Sequence, residues 1–351
     1  MVNLYKRVIL IVCMVLFINI TTACDINKTK RYEAEFLELF NTATQIVGYS
    51  ENKREFESYT QLIYDELKAY HELYDIYNDY DGINNIKTIN DNAGIKPIKV
   101  DKEIIDLIKF SKDAYVLTKG KTNIAMGSVL KIWHDYRTEG IDDPLNASLP
   151  PIDLLKEAAL HTDINNVIVD EENSTVYLND PDMSLDVGAI AKGYATERVS
   201  EVVKEKGFVS GILRVGGNVL TLDKKIDSNE EWSVGIQNPD KDSEKHTLKT
   251  VNLSNKSLVT SGNYERYYTV DGKRYNHIID PETLFPAEYF AAVTIICDDS
   301  GLADALSTAL FTMPLEQGKE LIESIPNTVA MWIFNDGSIV YSNHFEELIK
   351  N

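Results

Sequence analysis

Cysteine is scarce in this chain, and its few positions exclude a disulfide-stapled fold. Three of the 351 residues are cysteines. Cys13 lies within an N-terminal apolar run and Cys24 directly follows that run, so removal of the N-terminus leaves Cys297 without a partner for an internal disulfide. Cys297 closes an apolar segment and is expected to be a buried small hydrophobe, because no basic residue is adjacent to activate its thiol. A hydrophobic core must therefore stabilise the fold.

Positive charge is also in deficit. The chain has 35 Lys and Arg residues against 55 Asp and Glu residues, a net charge of −20. Removal of residues 1–23 takes away two basic residues and no acidic ones, which leaves 33 against 55 and a net charge of −22. Such acidity argues against nucleic acid as a partner and against a basic membrane-binding patch. A phosphorylated ligand would need local neutralisation by a metal ion, a helix N-terminus or a few placed cations.

The apolar run near the N-terminus, residues 8–20, is too short for a comfortable transmembrane helix, which needs about 20 apolar residues. A basic pair precedes it and small residues lead from it to Cys24, an order typical of a secretory signal with a bacterial lipobox. A permanent N-terminal anchor helix is the alternative. We expect residues 1–23 to be a lipoprotein signal peptide, residues 24–31 a polar tether, and Cys24 a lipidated residue that anchors the protein at the extracytoplasmic face of the cell membrane.

The pattern after the tether is that of an α+β fold. Periodicity and capping signals predict helices at 54–76, 101–119, 127–137, 301–312 and 315–324. Two further helices are predicted, one that begins at 151 and one that ends near 206. Strands are predicted at 166–169, 175–178, 210–221, 231–237, 248–253, 257–260, 264–270, 273–279, 291–297, 329–334 and 338–341. Residues 78–94 are rich in Asn, Asp and Gly and indicate a loop. Without repeats or a long linker, residues 32–351 are expected to form one domain with an antiparallel sheet and flanking helices.

A predicted hairpin over residues 264–279 carries a dense set of polar groups. Asp271-Gly272 is a strong turn signal, because both residues tolerate positive φ. His277 follows on the second strand, where an imidazole can act as a general base near neutral pH. A lone histidine beside apolar residues is more often structural, and Arg266 on the first strand could equally be an ion-pairing group.

Two further segments contain groups suited to a phosphate or a cation. Residues 186–195 place Asp186, Lys192 and glycines at a helix N-terminus, where free N–H groups favour phosphate. Ordinary capping by Asp186 beside a solvated Lys192 is the alternative. Asp304 and Thr308 are one helical turn apart and could hold Mg²⁺ with a backbone carbonyl and water. Taken alone, a dipole-compensating carboxylate and a back-bonded threonine are the commoner roles.

Five motifs follow one another between residues 186 and 309. They read DVGAIAKGYA at 186–195, VGGN at 215–218, TSGNYER at 260–266, HIIDPET at 277–283 and ADALSTA at 303–309. In this order they resemble the ApbE family, the FAD:protein FMN transferases. A weaker similarity continues upstream and covers nearly all of the mature chain. The resemblance implies a single ApbE-like domain that takes FMN from FAD, attaches it to a Ser or Thr hydroxyl of an exported flavoprotein, and releases AMP.

The resemblance also implies roles for individual residues. Mg²⁺ would be held by Asp304, Thr308 and the main-chain carbonyl of Ala189, and would neutralise the pyrophosphate of FAD. His277 would take the proton from the acceptor hydroxyl. Contacts with FAD are implied for Asp186, Lys192, Tyr80, Ala125, Met126, Gly127 and Ile278.

The chain departs from the family pattern at three positions. Leu284 stands where the family usually has Gly, and since Leu resists positive φ we expect a turn of different shape. Asn263 replaces a frequent Asp, and Ala125 lies where Thr is common. Two other functions are alternatives: an FAD pyrophosphatase that uses water as the acceptor, and a flavin-binding or thiamine-related lipoprotein without catalysis.

Overall fold

The computed structural model describes residues 29–350, so the predicted signal peptide, Cys24 and most of the predicted tether lie outside the described residues. The strands are β1 Lys30–Phe36, β2 Thr44–Ser50, β3 Ile98–Lys99, β4 Val167–Asp170, β5 Thr175–Leu178, β6 Gly211–Val215, β7 Asn218–Leu222, β8 Trp232–Gln237, β9 Thr247–Leu253, β10 Ser257–Gly262, β11 Tyr267–Val270, β12 Lys273–Asn276, β13 Ala292–Cys297, β14 Val329–Ile333 and β15 Ile339–Tyr341. The helices are α1 Lys53–Tyr74, α2 Ile86–Asn90, α3 Lys102–Leu117, α4 Gly127–Asp142, α5 Ile152–Ala159, α6 Ala191–Glu205, α7 Ser300–Phe311 and α8 Leu315–Glu323.

An eight-stranded antiparallel sheet organises the molecule, with strand order β1-β2-β6-β7-β10-β13-β14-β15. Smaller sheets β3-β5-β4, β8-β9 and β11-β12 surround it. The predicted α+β class with an antiparallel sheet and flanking helices is thereby confirmed. No helix among residues 29–350 combines the length and apolar character that a membrane crossing requires.

Successive side chains of a strand point to opposite faces of a sheet, and in the central sheet both faces carry apolar side chains. On one face, α1 and α6 pack over β2, β6 and β7 with α3 packed against α1, and α7 and α8 continue this layer over β10, β13 and β14. The β8-β9 ribbon and the segment around Phe345 cover part of the opposite face. Cys297 is 1% exposed and lies in the core beneath α7 and α8, which agrees with its predicted structural role.

Several local elements differ from the sequence prediction. The predicted strand 210–221 is a hairpin of β6 and β7, because Gly216 has a φ of +58° and reverses the chain. The predicted loop 78–94 contains α2, which a reciprocal capping box of Asn85 and Thr88 begins. Strands β1, β2 and β3 were not predicted, and β1 begins at Lys30, within the segment assigned to the tether.

The turn after the Asp280-Pro281 pair holds Leu284 in an unfavourable backbone conformation. Leu284 has a φ of +61°, so the prediction that leucine would avoid this region is wrong. Its carbonyl accepts a hydrogen bond from Trp133 Nε1 at 2.8 Å, and its N–H donates to the Asp280 carbonyl at 2.8 Å. The side chain is also buried against Trp133 and its neighbours. These contacts offset the strain of a branched side chain at positive φ.

A buried ion pair ties the same turn to the segment before α4. Lys121 Nζ lies 2.9 Å from Asp280 Oδ1, and the two side chains are 7% and 2% exposed. Lys121 also contacts Glu282 Oε1 at 3.0 Å, but the Glu282 side chain is 76% exposed. Removing one member of a buried pair leaves an uncompensated charge, whereas an exposed partner contributes little.

Asp280→Asn is expected to lower the free energy of unfolding by about 3 kcal/mol, since it leaves Lys121 buried without its counter-charge. Urea unfolding followed by circular dichroism measures this change. Glu282→Gln is the matched control and should cost less than about 1 kcal/mol. Equal effects of the two substitutions would contradict the dominant role of the buried pair.

Candidate active site

A cleft of about 650 Å³ opens where α4, the start of α6, α7 and the β11-β12 hairpin meet. This volume lies within the range of known small-molecule and cofactor sites. Segments distant in sequence form its wall: residues 74–78, 186–192, 258–266, 277–281 and two residues of α7. The fold therefore collects polar groups from most of the predicted motifs into one concave site.

The carboxylate of Asp304 on α7 links this helix to the N-terminus of α6 at the bottom of the cleft. Its Oδ2 accepts a hydrogen bond from the Gly193 N–H at 2.8 Å and lies 3.6 Å from Lys192 Nζ. Gly193 allows this approach, because a Cβ there would lie 2.2 Å from the Ser300 carbonyl oxygen and 2.6 Å from Asp304 Cβ. The glycine is needed for the close contact between α6 and α7, and the contact fixes the carboxylate.

Three oxygen atoms at this end of the cleft are free of hydrogen-bond donors in the part of the chain that the structure describes. They are Asp304 Oδ1, the Thr308 hydroxyl oxygen and the Ala189 carbonyl oxygen, and all three residues line the cleft. Gly193 N–H bonds Asp304 rather than the carbonyl four residues earlier, which leaves the Ala189 oxygen unused. A set of oxygen ligands of this kind could hold a hard divalent cation.

Asp186 and Lys192 do not follow the capping alternative. Asp186 Oδ1 accepts from the Gly188 N–H at 2.8 Å and so shapes the turn before the helix, while the N-cap position belongs to Ile190. Burial raises the pKa of Asp186, against the opposing field of nearby cations. Lys192 is bound rather than solvated, since its Nζ donates to the Gly188 carbonyl at 3.2 Å. Both side chains line the cleft.

His277 lies on the opposite wall, immediately after β12. Its backbone N–H donates to the Arg266 carbonyl at 3.1 Å, and its Nδ1 lies 3.1 Å from the same oxygen. When Nδ1 carries the proton, Nε2 is left as the acceptor, the form required of a general base. Burial and the positive charges of Arg266 and Arg137 lower the pKa of His277 to about 3. The imidazole is therefore neutral at physiological pH.

The residues predicted to contact FAD divide into two groups. Met126 and Ile278 line the cleft together with Asp186 and Lys192. Tyr80, Ala125 and Gly127 lie outside the lining: the Tyr80 hydroxyl donates to Asp75 at 2.8 Å, Ala125 is fully buried, and the Gly127 N–H donates to the Ser184 carbonyl at 3.0 Å. These three residues support the wall from behind.

Tyr77 lines the cleft, whereas Tyr80, the tyrosine of this loop that the sequence prediction named, does not. The Tyr77 ring is 54% exposed and lies 5.3 Å from the ring of His134. The two tyrosines are three residues apart in a loop without periodicity, so no sequence pattern distinguishes them. Asn263, one of the departures from the family pattern, points away from the cleft lining and donates to Asn335 Oδ1 at 3.1 Å.

Sequence reasoning also missed most of the basic side chains of the cleft. Arg137, Arg214 and Lys121 line it, and so does Arg266, which the sequence left as a possible ion-pairing group. A signal existed for Arg137, since it follows the buried Trp133 by one helical turn and must share its inward face. Arg214 lies on β6, where its polar character alone gave no indication of a site.

The lowered pKa predicts that the His277 ring in the ligand-free protein stays neutral at pH 5, where an ordinary imidazole is mostly protonated. ¹⁵N chemical shifts of the ring measure this, with His277→Gln for assignment. Because the unfolded chain binds the proton near pH 6.5 and the folded chain only near 3, His277 removes stability as pH falls through that window. A ring titration midpoint near 6.5 would contradict the assigned environment.

Comparison with known proteins agrees with the motif resemblance. The model of the ApbE family matches residues 40–333. A Klebsiella pneumoniae protein named FAD:protein FMN transferase is 30% identical over 289 residues, which cover 82% of this chain and 85% of that protein. A Treponema pallidum protein of the same name is 34% identical over 264 residues, 72% of this chain and 71% of that protein.

A solved structure has the same fold. The crystal structure of the ApbE protein from Thermotoga maritima matches with a TM-score of 0.80 and 29% identity, over 92% of this chain and 100% of that chain. The family match, the sequence relatives and the shared fold lead to one conclusion. The chain belongs to the ApbE family.

Proposed function

We propose that this protein transfers FMN from FAD to a Ser or Thr hydroxyl of an exported protein. The observation that carries the proposal is the cleft itself, which combines three free oxygen ligands, a bound lysine and a neutral imidazole. Family membership and relatives named FAD:protein FMN transferase support the same reaction.

The donor set fits Mg²⁺, which we propose as the cofactor. Asp304, Thr308 and the Ala189 carbonyl would hold the ion, because hard cations prefer oxygen ligands and water. When bound, Mg²⁺ would supply positive charge to the FAD pyrophosphate, which the chain's net charge of −20 otherwise repels.

The side chains of the cleft would then carry the transfer. His277 Nε2 accepts the proton of the acceptor hydroxyl as its oxygen attacks the phosphorus of the FMN half. The new bond joins that oxygen to phosphorus, the pyrophosphate P–O bond breaks, and AMP leaves with the bridging oxygen. Lys192 adds a fixed positive charge beside Asp304, where its Nζ lies 3.6 Å from the carboxylate.

Two substitutions test the transfer. Incubation with FAD, Mg²⁺ and a threonine-containing acceptor domain should add the mass of one FMN to the acceptor. His277→Ala should slow the reaction by about 10²-fold or more while FAD still binds, since it removes the base. Asp304→Asn should abolish the response to Mg²⁺, since it removes the charged ligand. His344→Ala is the control, because His344 is hydrogen-bonded to Glu347 outside the cleft lining.

The same assay separates the alternatives by mass spectrometry. Free FMN and AMP without labelled acceptor would identify a pyrophosphatase that uses water. FAD that binds and remains intact would identify a flavin-binding protein without catalysis. Full activity of Asp304→Asn would refute the assigned metal ligand.

We also propose that the protein acts at the extracytoplasmic face of the membrane, anchored through lipid on Cys24. The sequence around Cys24 supports this, with its short apolar run and preceding small residues. Cys24→Ala should move the protein from the membrane fraction to the soluble fraction after export. Retention in the membrane would favour the anchor-helix alternative.

A further inference from the structure

The arginines of the cleft lack a carboxylate partner among the described residues. The chain is strongly acidic, and the two lysines of the same cleft are paired, Lys121 with Asp280 and Lys192 with Asp304. Arg137, Arg214 and Arg266 line the cleft and form no ion pair with any residue in the 29–350 range, and Arg137 and Arg266 are the two that act on His277. Cations that stay unpaired among so many acidic residues indicate a site that an external anion completes.

Arg137 is held in a place where its charge is costly. Burial lowers its pKa, and the like charge of Arg266 acts in the same direction. Its one side-chain hydrogen-bond partner in the described structure is His134, with Arg137 Nη2 3.1 Å from His134 Nδ1. The Asp186 carboxylate attracts the Arg137 guanidinium, but the two groups lie beyond ion-pair distance. Arg137 is half-buried, and a guanidinium that has lost part of its hydration without gaining a counter-charge is destabilising, unless a ligand supplies that charge.

Both guanidinium groups act on the imidazole at which transfer is proposed to occur. Arg266 is the larger electrostatic influence on His277 and Arg137 the next, ahead of Lys192. Arg266 is also tied to His277 directly, since its carbonyl oxygen accepts from the His277 backbone N–H at 3.1 Å. The two cations therefore belong to the region where the phosphorus is attacked, while Lys192 belongs to the end with the free oxygen atoms.

The geometry points to Arg137 and Arg266 as a clamp for the phosphoryl group of the FMN half of FAD, one that binds without a metal ion. This inference rests on the proposed transfer. Guanidinium groups match phosphate because they donate parallel hydrogen bonds to two oxygens and stay charged when partly buried. The phosphate on the FMN side is the one attacked, so the cations nearest the base would hold it during transfer.

The test compares two flavins that differ only in that phosphate. FMN and riboflavin are titrated into the full chain in the presence of EDTA, and flavin fluorescence gives each Kd. The wild-type protein should bind FMN at least about tenfold more tightly than riboflavin, which equals about 1.4 kcal/mol. Inorganic phosphate should compete with FMN and leave riboflavin binding unchanged.

Substitutions assign the preference to the two residues. Arg137→Gln and Arg266→Gln should each remove most of the FMN preference and leave the riboflavin Kd unchanged. Arg137→Lys should keep part of it, because the charge remains. Arg274→Gln is the matched control: Arg274 is on the same hairpin, but its guanidinium lies 4.7 Å from the centre of the Tyr267 ring and outside the cleft lining.

Equal wild-type affinity for FMN and riboflavin would overturn the clamp. A parallel loss of both affinities in Arg137→Gln would also overturn it, since that result identifies a packing role. The assay needs no turnover, so it is independent of the transfer assay. An arginine-dependent FMN preference in a protein that transfers nothing would uphold the clamp and reject the proposed function, and transfer without that preference would do the reverse.

Discussion

The hydrogen bond between the Gly193 N–H and the Asp304 carboxylate is the contact on which the site depends. It holds two helices so close that only glycine fits between them, and it directs one carboxylate oxygen into the α6 N-terminus. The other oxygen and the Ala189 carbonyl remain available to a ligand. The close packing of α6 on α7 thus determines where a cation could bind, because the atoms that hold the two helices together also orient the candidate ligands.

The net negative charge of the protein explains why a phosphorylated ligand needs these local groups. A chain with a net charge of −20 repels a pyrophosphate at long range, so binding must come from local groups. The cleft has such groups at two places. Near α7 lie Lys192 and the free oxygen atoms that could hold a cation, and near His277 lie two unpaired arginines. Burial lowers the pKa of His277 most and the same arginines lower it further, so the positive charge that could receive an anion also helps to keep the imidazole neutral.

Much of the fold followed from the sequence because periodicity and turn residues act locally. Most helices and strands, the antiparallel sheet and the turn at Asp271-Gly272 were predictable in this way. The β6-β7 reversal carried a local signal, the glycine pair Gly216-Gly217, which the prediction of one continuous strand overlooked. The positive φ of Leu284 was not predictable, since it depends on contacts made by distant residues such as Trp133, and there tertiary packing prevailed over local propensity.

Motif residues of the site were predictable because their chemistry was packed into short segments, as for His277 and Asp304. Tyr77 was not, because it is one aromatic residue in a loop without periodicity. Arg137 carried a signal, since it follows the buried Trp133 by one helical turn, but only the packing of α4 against the hairpin shows that this face of α4 meets the cleft. Tyr80, three residues from Tyr77, shows how little separates a lining residue from a supporting one.

The bond from Gly193 to Asp304 joins residues 111 positions apart. Closing such a long loop comes late, because its entropy must be overcome before the contact stabilises anything. Until α7 docks on the sheet, the chain has no assembled oxygen site and no α6 N-terminus held by a carboxylate. Assembly of the C-terminal third therefore acts as a checkpoint, because a partly folded chain lacks the complete set of oxygen atoms at this end of the cleft.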